Sequence, residues 1–170
     1  MIELGSPSLR VVVDPDRGGQ IVFVGRPGGP NALFHDDWET PTPAGGSTHY
    51  GSDTLDWLSR YRGGWQVMFP NAGGECTVDG IAHPVHGEVT AAPAEVLEAS
   101  GDAVLLRSTT RVGLRLERRI SLSAERPALR LEETVVNDSD RAVRYVWGHH
   151  PAIAATPGML VDLPAGPVHV

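Results

Sequence analysis

An alternation of apolar and polar residues in the second half of this 170-residue chain constrains its fold more than any other feature. Within residues 113–123, one face carries Leu114, Leu116, Ile120 and Leu122, and the other carries Arg115, Glu117, Arg119 and Ser121. Arg118 interrupts the apolar face, and the alternation continues through Leu129, Leu131 and Val135. Because successive side chains of a strand point to opposite faces, each strand has one buried and one solvated face. The pattern predicts an all-β chain folded as an antiparallel β-sandwich.

Turn signals place the remaining elements. Further strands are predicted at residues 8–14, 20–24, 32–34, 94–99 and 103–110. The Asp79-Gly80 pair predicts a tight hairpin within residues 77–82. Closely spaced prolines and glycines predict a loop at residues 36–51, and residues 53–60 are predicted as a short helix with Ser52 as its cap. A short apolar run between glycine pairs predicts a buried segment within residues 63–74.

Composition excludes several classes of function. The formal net charge of -7 argues against nucleic acid or an anionic membrane as a partner. The single cysteine, Cys76, excludes an internal disulfide framework. No apolar run is long enough to span a bilayer, and the first residues lack the features of a signal peptide. The Gly73-Gly74 pair is not a phosphate loop, since no lysine follows it and no helix begins there. We therefore expect a cytoplasmic protein with a single domain, residues 1–170, and no cofactor.

Two adjacent histidines stand near the C-terminal end. Residues 141–153 are predicted as a strand in which Val143, Tyr145 and Trp147 face one way, and this strand stops at Gly148. His149 and His150 follow, and strand geometry prevents both from pointing into one site without a local distortion. Pro151 favours an extended conformation for the residue before it, which would hold His150 in a defined direction. A histidine fixed in this way beside aromatic residues is suited to act as an acid or a base.

Three segments together resemble the aldose 1-epimerase (galactose mutarotase-like) family in content, order and spacing. They are Trp65 to Gly73 (WQVMFPNAG), Val85 to Glu88 (VHGE) and Trp147 to Ala152 (WGHHPA). The resemblance covers nearly the whole chain and implies a large antiparallel β-sandwich, of which the chain would be the N-terminal portion. It also implies an isomerase that interconverts the anomers of a free aldose through acid–base opening of the sugar ring.

The resemblance assigns roles to individual residues. The family's acid falls on His150, with His149 as the less favoured choice, and His86 would hold the sugar's oxygens near that acid. Asn71 falls where the family has a substrate-contacting polar or basic residue, and its amide leaves open which sugar is bound and whether it is phosphorylated. Trp65 or Trp147 could stack on a sugar face. The family's general base is a glutamate well downstream of the second histidine motif, and because the chain ends at Val170 we expect a fragment without it.

Other interpretations of the same residues stay open. Glu88 could replace the missing base or contact the substrate, although a glutamate at the start of a strand is usually a solvated side chain. The chain could be a non-catalytic carbohydrate-binding relative, and exposed sandwich edges would allow self-association.

The third alternative is a cupin-like metal enzyme that uses His83, His86, Glu88 and a later histidine. It ranks last, because cupins place two histidines one residue apart. His35, His49 and His169 are interpreted as surface or core residues, and Asp162 as a residue that could reach a sugar hydroxyl.

Overall fold

Two antiparallel sheets dominate the computed structural model, which describes residues 1–36 and 53–160. The strands are β1 Ile2–Gly5, β2 Arg10–Asp14, β3 Gln20–Gly25, β4 Trp65–Met68, β5 Cys76–Val78, β6 Ile81–His83, β7 Glu95–Ala99, β8 Ala103–Thr109, β9 Leu114–Leu122, β10 Leu129–Asn137 and β11 Gly148–Pro151. The helix α1 spans Asp53–Arg60, and short 3₁₀ turns occupy Pro15–Arg17 and Glu88–Thr90. In this part of the chain, one sheet has the order β1-β2-β3-β4-β11, a second has the order β10-β9-β8-β7, and β5 and β6 form a separate hairpin.

The apolar faces of the two large sheets form the core. Strands β1, β2 and β3 bury Leu4, Val11, Val13 and Ile21, and strands β8 and β9 bury Val104, Leu106, Ile120 and Leu122 in the same cluster. A second cluster joins β4 to β9 and includes Val67, Phe69, Val89, Leu114 and Leu116. The alternating residues of β9 therefore point inward as the sequence indicated, and the prediction of an all-β antiparallel β-sandwich is confirmed.

Most of the local predictions hold. The helix at residues 53–60 is present, and so is the hairpin at Asp79-Gly80, where both residues have positive φ. β1, which was not predicted from the sequence, pairs with β2. Residues 32–34 form a single bridge from Leu33 to Ile153 rather than a strand. Ser52, His49, Asp162, His169 and nearly all of the loop at residues 36–51 lie outside the described residues. No helix in the described residues is both long and apolar enough to cross a membrane.

The predicted strand before the paired histidines is wrong. Residues 142–147 have no regular structure, and β11 begins only at Gly148. The reason lies in its partner β4, which ends at Met68 opposite Gly148 and is followed by Phe69 and Pro70. Because proline has no N–H, it cannot continue the ladder of hydrogen bonds. One hydrogen bond continues the pairing beyond Gly148, from the N–H of Val146 to the carbonyl of Pro70 at 2.8 Å.

Candidate active site

β11 directs its two histidines to opposite faces of the five-stranded sheet. His149 lies opposite Val67 of β4, and His150 lies opposite Gln66. The ring of His149 contacts Trp65 and Trp147, whereas the ring of His150 contacts a different set of residues on the other face. The prediction that the two side chains point in opposite directions is confirmed, and a different environment surrounds each of them.

His150 belongs to a cluster of four rings. Its ring centroid lies 5.2 Å from that of His86, 5.4 Å from that of Tyr61 and 5.7 Å from that of Trp57. Trp57 also meets His86 edge-on at 4.6 Å and stacks on Tyr61 at 4.5 Å. The hydroxyl of Tyr61 lies 3.3 Å from Nδ1 of His150. The two histidines of the two motifs are therefore brought together, and α1 supplies the aromatic wall beside them.

A strained turn directs His86 toward this cluster. His86 has a φ of 59°, which is uncommon for a residue with a side chain, and its N–H donates to the carbonyl of Gly73 at 3.0 Å. Gly87 has a φ of 77°, and a Cβ atom at this position would lie 2.2 Å from the carbonyl oxygen of Phe69. The segment therefore needs glycine here for two reasons, its conformation and the close approach of the backbone.

Asn71 supports the same turn. Its amide nitrogen donates to the carbonyl of Gly74 at 2.7 Å and to that of Pro84 at 3.1 Å, and its amide oxygen accepts the N–H of Gly73. The buried Asn71 thus ties the loop after β4 to the segment that carries His86. All three of these partners are backbone groups, and a direct contact between Asn71 and a substrate stays a prediction.

A cleft of about 520 Å³ opens beside the ring cluster. Its lining includes Trp57, Tyr61, Gln66, Gly87 and Glu88. Two buried polar atoms of residues that line the cleft have no hydrogen-bond partner within the described residues, Nε1 of Trp57 and Oε1 of Gln66. Buried polar groups are almost always hydrogen-bonded, and leaving one unpaired costs about 1–3 kcal/mol. A buried donor and a buried acceptor beside the cleft are therefore left unpaired.

Burial shifts the acid–base properties of the ring cluster. It lowers the pKa of His86 below its ordinary value, and the charge that His150 would carry when protonated lowers it further. Burial also raises the pKa of the Tyr61 hydroxyl. His86 is therefore neutral near pH 7, with a lone pair that can accept a proton or a hydrogen bond, and the hydroxyl of Tyr61 stays protonated.

The opposite face of β11 contains a buried ionic network. Arg118 of β9 lies opposite Glu133 of β10, and the Nε of Arg118 donates to Oε1 of Glu133 at 2.7 Å. The other carboxylate oxygen of Glu133 lies 3.2 Å from Nε2 of His149. The indole N–H of Trp65 donates to Nδ1 of His149 at 3.1 Å. His149 and Trp65 therefore contact each other and the network rather than the cleft.

The remaining candidates lie near the cleft or away from it. Glu88 lines the cleft, but its carboxylate accepts the backbone N–H of Arg111 at 2.9 Å and its guanidinium at 2.8 Å. Trp147 packs against His149 and is about half exposed. His83 is buried and lines a separate small cavity near the β5–β6 hairpin. No group of three or more histidine, cysteine or acidic side chains in residues 1–36 and 53–160 is arranged to hold a metal ion.

Several residues of the site were missed in the sequence. Trp57 and Tyr61 are four positions apart, and this spacing at a short helix predicts that the two rings meet. Glu133 interrupts the apolar face of β10 as Arg118 interrupts that of β9, and the turn at residues 125–127 brings the two interruptions opposite each other. Two charges that interrupt neighbouring apolar faces would have predicted the buried ion pair. Gln66 has no comparable signal.

Comparison with known proteins shows the fold. Neither a family model nor a curated protein matches the sequence. Among solved structures, a provisionally named aldose 1-epimerase from Escherichia coli K12 has a TM-score of 0.62 at 19% identity, over 92% of this chain and 52% of that one. A galactose mutarotase-like protein from Lactobacillus casei has a TM-score of 0.63 at 16% identity, over 89% of this chain and 49% of its own.

A galactose mutarotase related enzyme from Lactobacillus acidophilus has a TM-score of 0.59 at 19% identity, over 93% of this chain and 51% of its own. The chain thus spans about half the length of these three structures. In its architecture, the described part of the chain has the β-sandwich fold of galactose mutarotase-like proteins.

Proposed function

We propose that His86, His150 and the adjacent cleft bind a free aldose and interconvert its anomers by acid–base opening of the sugar ring. The observation that carries this proposal is the pairing of the two motif histidines, whose ring centroids are 5.2 Å apart beside a cleft with an aromatic wall. Similarity to solved structures named as aldose 1-epimerase and galactose mutarotase-like proteins supports a sugar as the ligand class.

The proposed chemistry begins with the transfer of a proton to the ring oxygen of the sugar. His150 is the proposed acid, because Tyr61 engages its Nδ1 and its Nε2 has no partner among the described residues. A base must take the proton of the anomeric hydroxyl, and the resemblance to the family places that base in a glutamate downstream of the second histidine motif. This transfer opens the ring, and rotation about the bond between the first two carbons allows it to close as the other anomer, with the two protons returned. His86, held neutral by its lowered pKa, would accept a hydrogen bond from a sugar hydroxyl near the acid.

The unpaired polar atoms favour a ligand rich in hydroxyl groups. Oxygen Oε1 of Gln66 can only accept a hydrogen bond, whereas Nε1 of Trp57 can only donate one. A hydroxyl group can do either, so one polyhydroxylated ligand could satisfy both. Apolar ring carbons of the same ligand could contact the face of Trp57, which suits the amphipathic surface of a sugar.

Carbohydrate binding without catalysis is a second candidate. It is favoured by the position of Glu88, whose carboxylate is already held by Arg111 and is poorly placed to take a proton from the sugar. The resemblance to the family places the base in a glutamate downstream of the second histidine motif. The two functions differ in one measurable property, because a binding protein retains the sugar without accelerating the exchange of its anomers.

Exchange between the α and β anomers, followed by two-dimensional exchange NMR with a panel of aldoses, tests the proposal. Exchange should be faster with the protein than in buffer alone. His150→Asn should reduce the catalysed rate by about 100-fold or more, the usual contribution of an acid catalyst. His86→Asn should instead mainly raise KM, by about tenfold, as expected from the loss of one hydrogen bond to a ligand.

His83→Asn is the matched control, since it changes a buried histidine of the same segment that lines a different cavity. Its exchange rate should equal that of the wild-type protein once folding is verified by circular dichroism. Catalysed exchange that survives in His150→Asn would contradict the assignment of the acid. Saturable binding without any exchange would favour the carbohydrate-binding function instead.

A further inference from the structure

His149 lies between two polar partners, the indole N–H of Trp65 and the carboxylate of Glu133. Nδ1 of its ring accepts the indole N–H of Trp65 at 3.1 Å, and its Nε2 lies 3.2 Å from Oε2 of Glu133. The second contact is close in distance but departs from ideal hydrogen-bond alignment. The rings of Trp65 and Trp147 also meet the imidazole edge-on at 5.7 Å and 5.4 Å. Both ring nitrogens therefore face a polar group, and the ring has packing on two sides.

The Trp65 contact determines where the proton of His149 resides. An indole N–H can only donate, so Nδ1 of His149 must present a lone pair. A neutral imidazole carries one proton, which is then on Nε2 and faces the carboxylate of Glu133. The imidazolium form would place a second N–H on Nδ1, directly against the N–H of Trp65. The hydrogen bond thus selects the neutral ring with its proton on Nε2.

Glu133 provides a negative partner for Nε2 of His149. Burial alone raises the pKa of Glu133, but the contacts with His149 and Arg118 outweigh this effect and leave the pKa below its usual value. Arg118, which is 1% exposed, already balances the charge of the carboxylate. The Nη1 atom of Arg118 also donates to the carbonyls of Gly18 and Gly19, both at 3.1 Å. The network therefore anchors β11 to β9, to β10 and to the turn before β3.

β11 needs such an anchor. It has only four residues, and in the described part of the chain it lies at the end of its sheet, with β4 as its single neighbour. The side chain of His149 contacts the buried carboxylate of Glu133. Holding the imidazole of His149 fixes the backbone next to it, and His150 follows directly on the opposite face.

We infer that His149 is a positioning residue, a neutral imidazole with its proton on Nε2 that holds β11 so that His150 faces the ring cluster beside the cleft. This role rests on the proposed function, because it explains how the proposed acid is oriented. It also explains why the first of the two adjacent histidines contacts Trp65 and Glu133 rather than the cleft. The negative charge of Glu133 and the indole N–H of Trp65 are proposed to act on His150 through His149.

Long-range ¹H–¹⁵N correlation NMR at pH 7 on the full chain tests the inference directly. The spectrum of His149, assigned with His149→Gln, should show a protonated Nε2 and an unprotonated Nδ1. Trp65→Phe removes the N–H donor but keeps an aromatic ring. The ring of His149 should then no longer be restricted to the tautomer with its proton on Nε2, and the ring resonances of His150 should shift. Trp147→Phe is the matched control, because this ring contacts His149 without a hydrogen bond among the described residues, and it should leave the tautomer unchanged.

Anomer exchange provides the second readout. If His149 positions the acid, Trp65→Phe should lower kcat by about tenfold and leave KM within about twofold, as expected for a misplaced catalytic group. An imidazolium, or a neutral ring with its proton on Nδ1, would overturn the inference. Unchanged His150 resonances in Trp65→Phe would overturn it as well. With both NMR results as expected, an absence of exchange would contradict the proposed function and leave the positioning of His150 by His149 supported.

Discussion

At the scale of single residues, backbone conformation determines where His86 lies. The positive φ of His86 and Gly87 turns the chain sharply after Pro84, and the amide of Asn71 supports the turn. A side chain at position 87 would overlap the backbone of Phe69. The residues around His86 therefore determine the conformation of the turn as well as supplying the imidazole. The turn is needed because it places the imidazole next to His150.

The crowding at Gly87 can be separated from its backbone conformation. Gly87 and Gly80 have nearly the same φ, 77° and 76°, but a Cβ atom at Gly80 would meet nothing within 4 Å. Gly80→Ala should therefore lower the free energy of unfolding by about 1 kcal/mol, the cost of the left-handed conformation alone. Gly87→Ala should cost about 2 kcal/mol more, because the methyl group must displace the backbone. Urea unfolding measures both, and equal losses would contradict the overlap at Phe69.

The titration of His86 makes a second prediction at this scale. Its pKa in the folded protein lies below its ordinary value of 6.5, chiefly through burial and secondly through His150. The unfolded chain therefore binds a proton more readily, so this contribution to the free energy of unfolding is constant above about pH 7 and falls as the pH drops through about 6.5. His86→Gln should lose less stability than the wild-type protein between about pH 7 and about pH 5. Equal losses in urea titrations at the two pH values would show that His86 is not buried as described.

At the scale of secondary-structure elements, a buried ion pair links β9 to β10. Arg118 and Glu133 both interrupt apolar faces, and the antiparallel register places them opposite each other. Their side chains are almost completely buried, at 2% and 6% exposure. Removing one member of such a pair leaves the other charge buried without a partner. This lowers the free energy of unfolding more than replacing both members with apolar residues.

Arg118→Met should therefore lower the free energy of unfolding by about 3–5 kcal/mol. Arg118→Met combined with Glu133→Leu should recover at least half of that loss, because no unpaired charge is then left in the core. Arg119→Met is the matched control on the same strand, since Arg119 pairs with Glu98 at the surface, and it should cost less than about 1 kcal/mol. Chemical unfolding at neutral pH measures all three variants. A double variant less stable than Arg118→Met would refute this explanation.

The same elements show what the sequence could reveal. The alternation in β9 and β10 was sufficient to predict these two strands and their buried faces. The alternating directions of side chains in any strand were sufficient to predict that His149 and His150 point to opposite faces. It was not sufficient for residues 142–147, whose apolar residues follow the pattern of a strand. Pro70 has no N–H to continue the hydrogen-bond ladder between this segment and the chain after β4. The positions of Trp57 and Gln66 depend on contacts between residues distant in sequence, which no local pattern contains.

At the scale of the whole molecule, an apolar surface adjoins the edge of the five-stranded sheet. Tyr145, Val146 and Trp147 are 46–58% exposed and follow one another directly before β11. Among the described residues β11 is the last strand of this sheet, and contiguous apolar surface beside such an edge favours association with another chain. The interpretation of the chain as a single domain stays a prediction. The chain superimposes on about half of each of three solved structures, and it contains both motif histidines.

This surface predicts that the 170-residue chain associates as its concentration increases. Val146→Lys should weaken the association by placing a charge in the middle of the patch. Val96→Lys is the matched control, because Val96 is also exposed but lies between Glu95 and Glu98 and next to a different sheet edge. Sedimentation equilibrium measures both variants. Equal weakening by the two substitutions would show that charge alone, rather than the patch at residues 145–147, controls association.

The most direct test of the central claim, that His86 and His150 form a sugar site, is a titration of the labelled chain with a free aldose followed by NMR. The ring resonances of His86 and His150 and the side-chain amide of Gln66 should shift together and saturate, because all three lie at or beside the cleft. The rings of His149 and His83, which lie elsewhere, should move little. Saturable shifts confined to His149 or to the β5–β6 hairpin, or no shifts up to the solubility limit of the sugar, would contradict the claim.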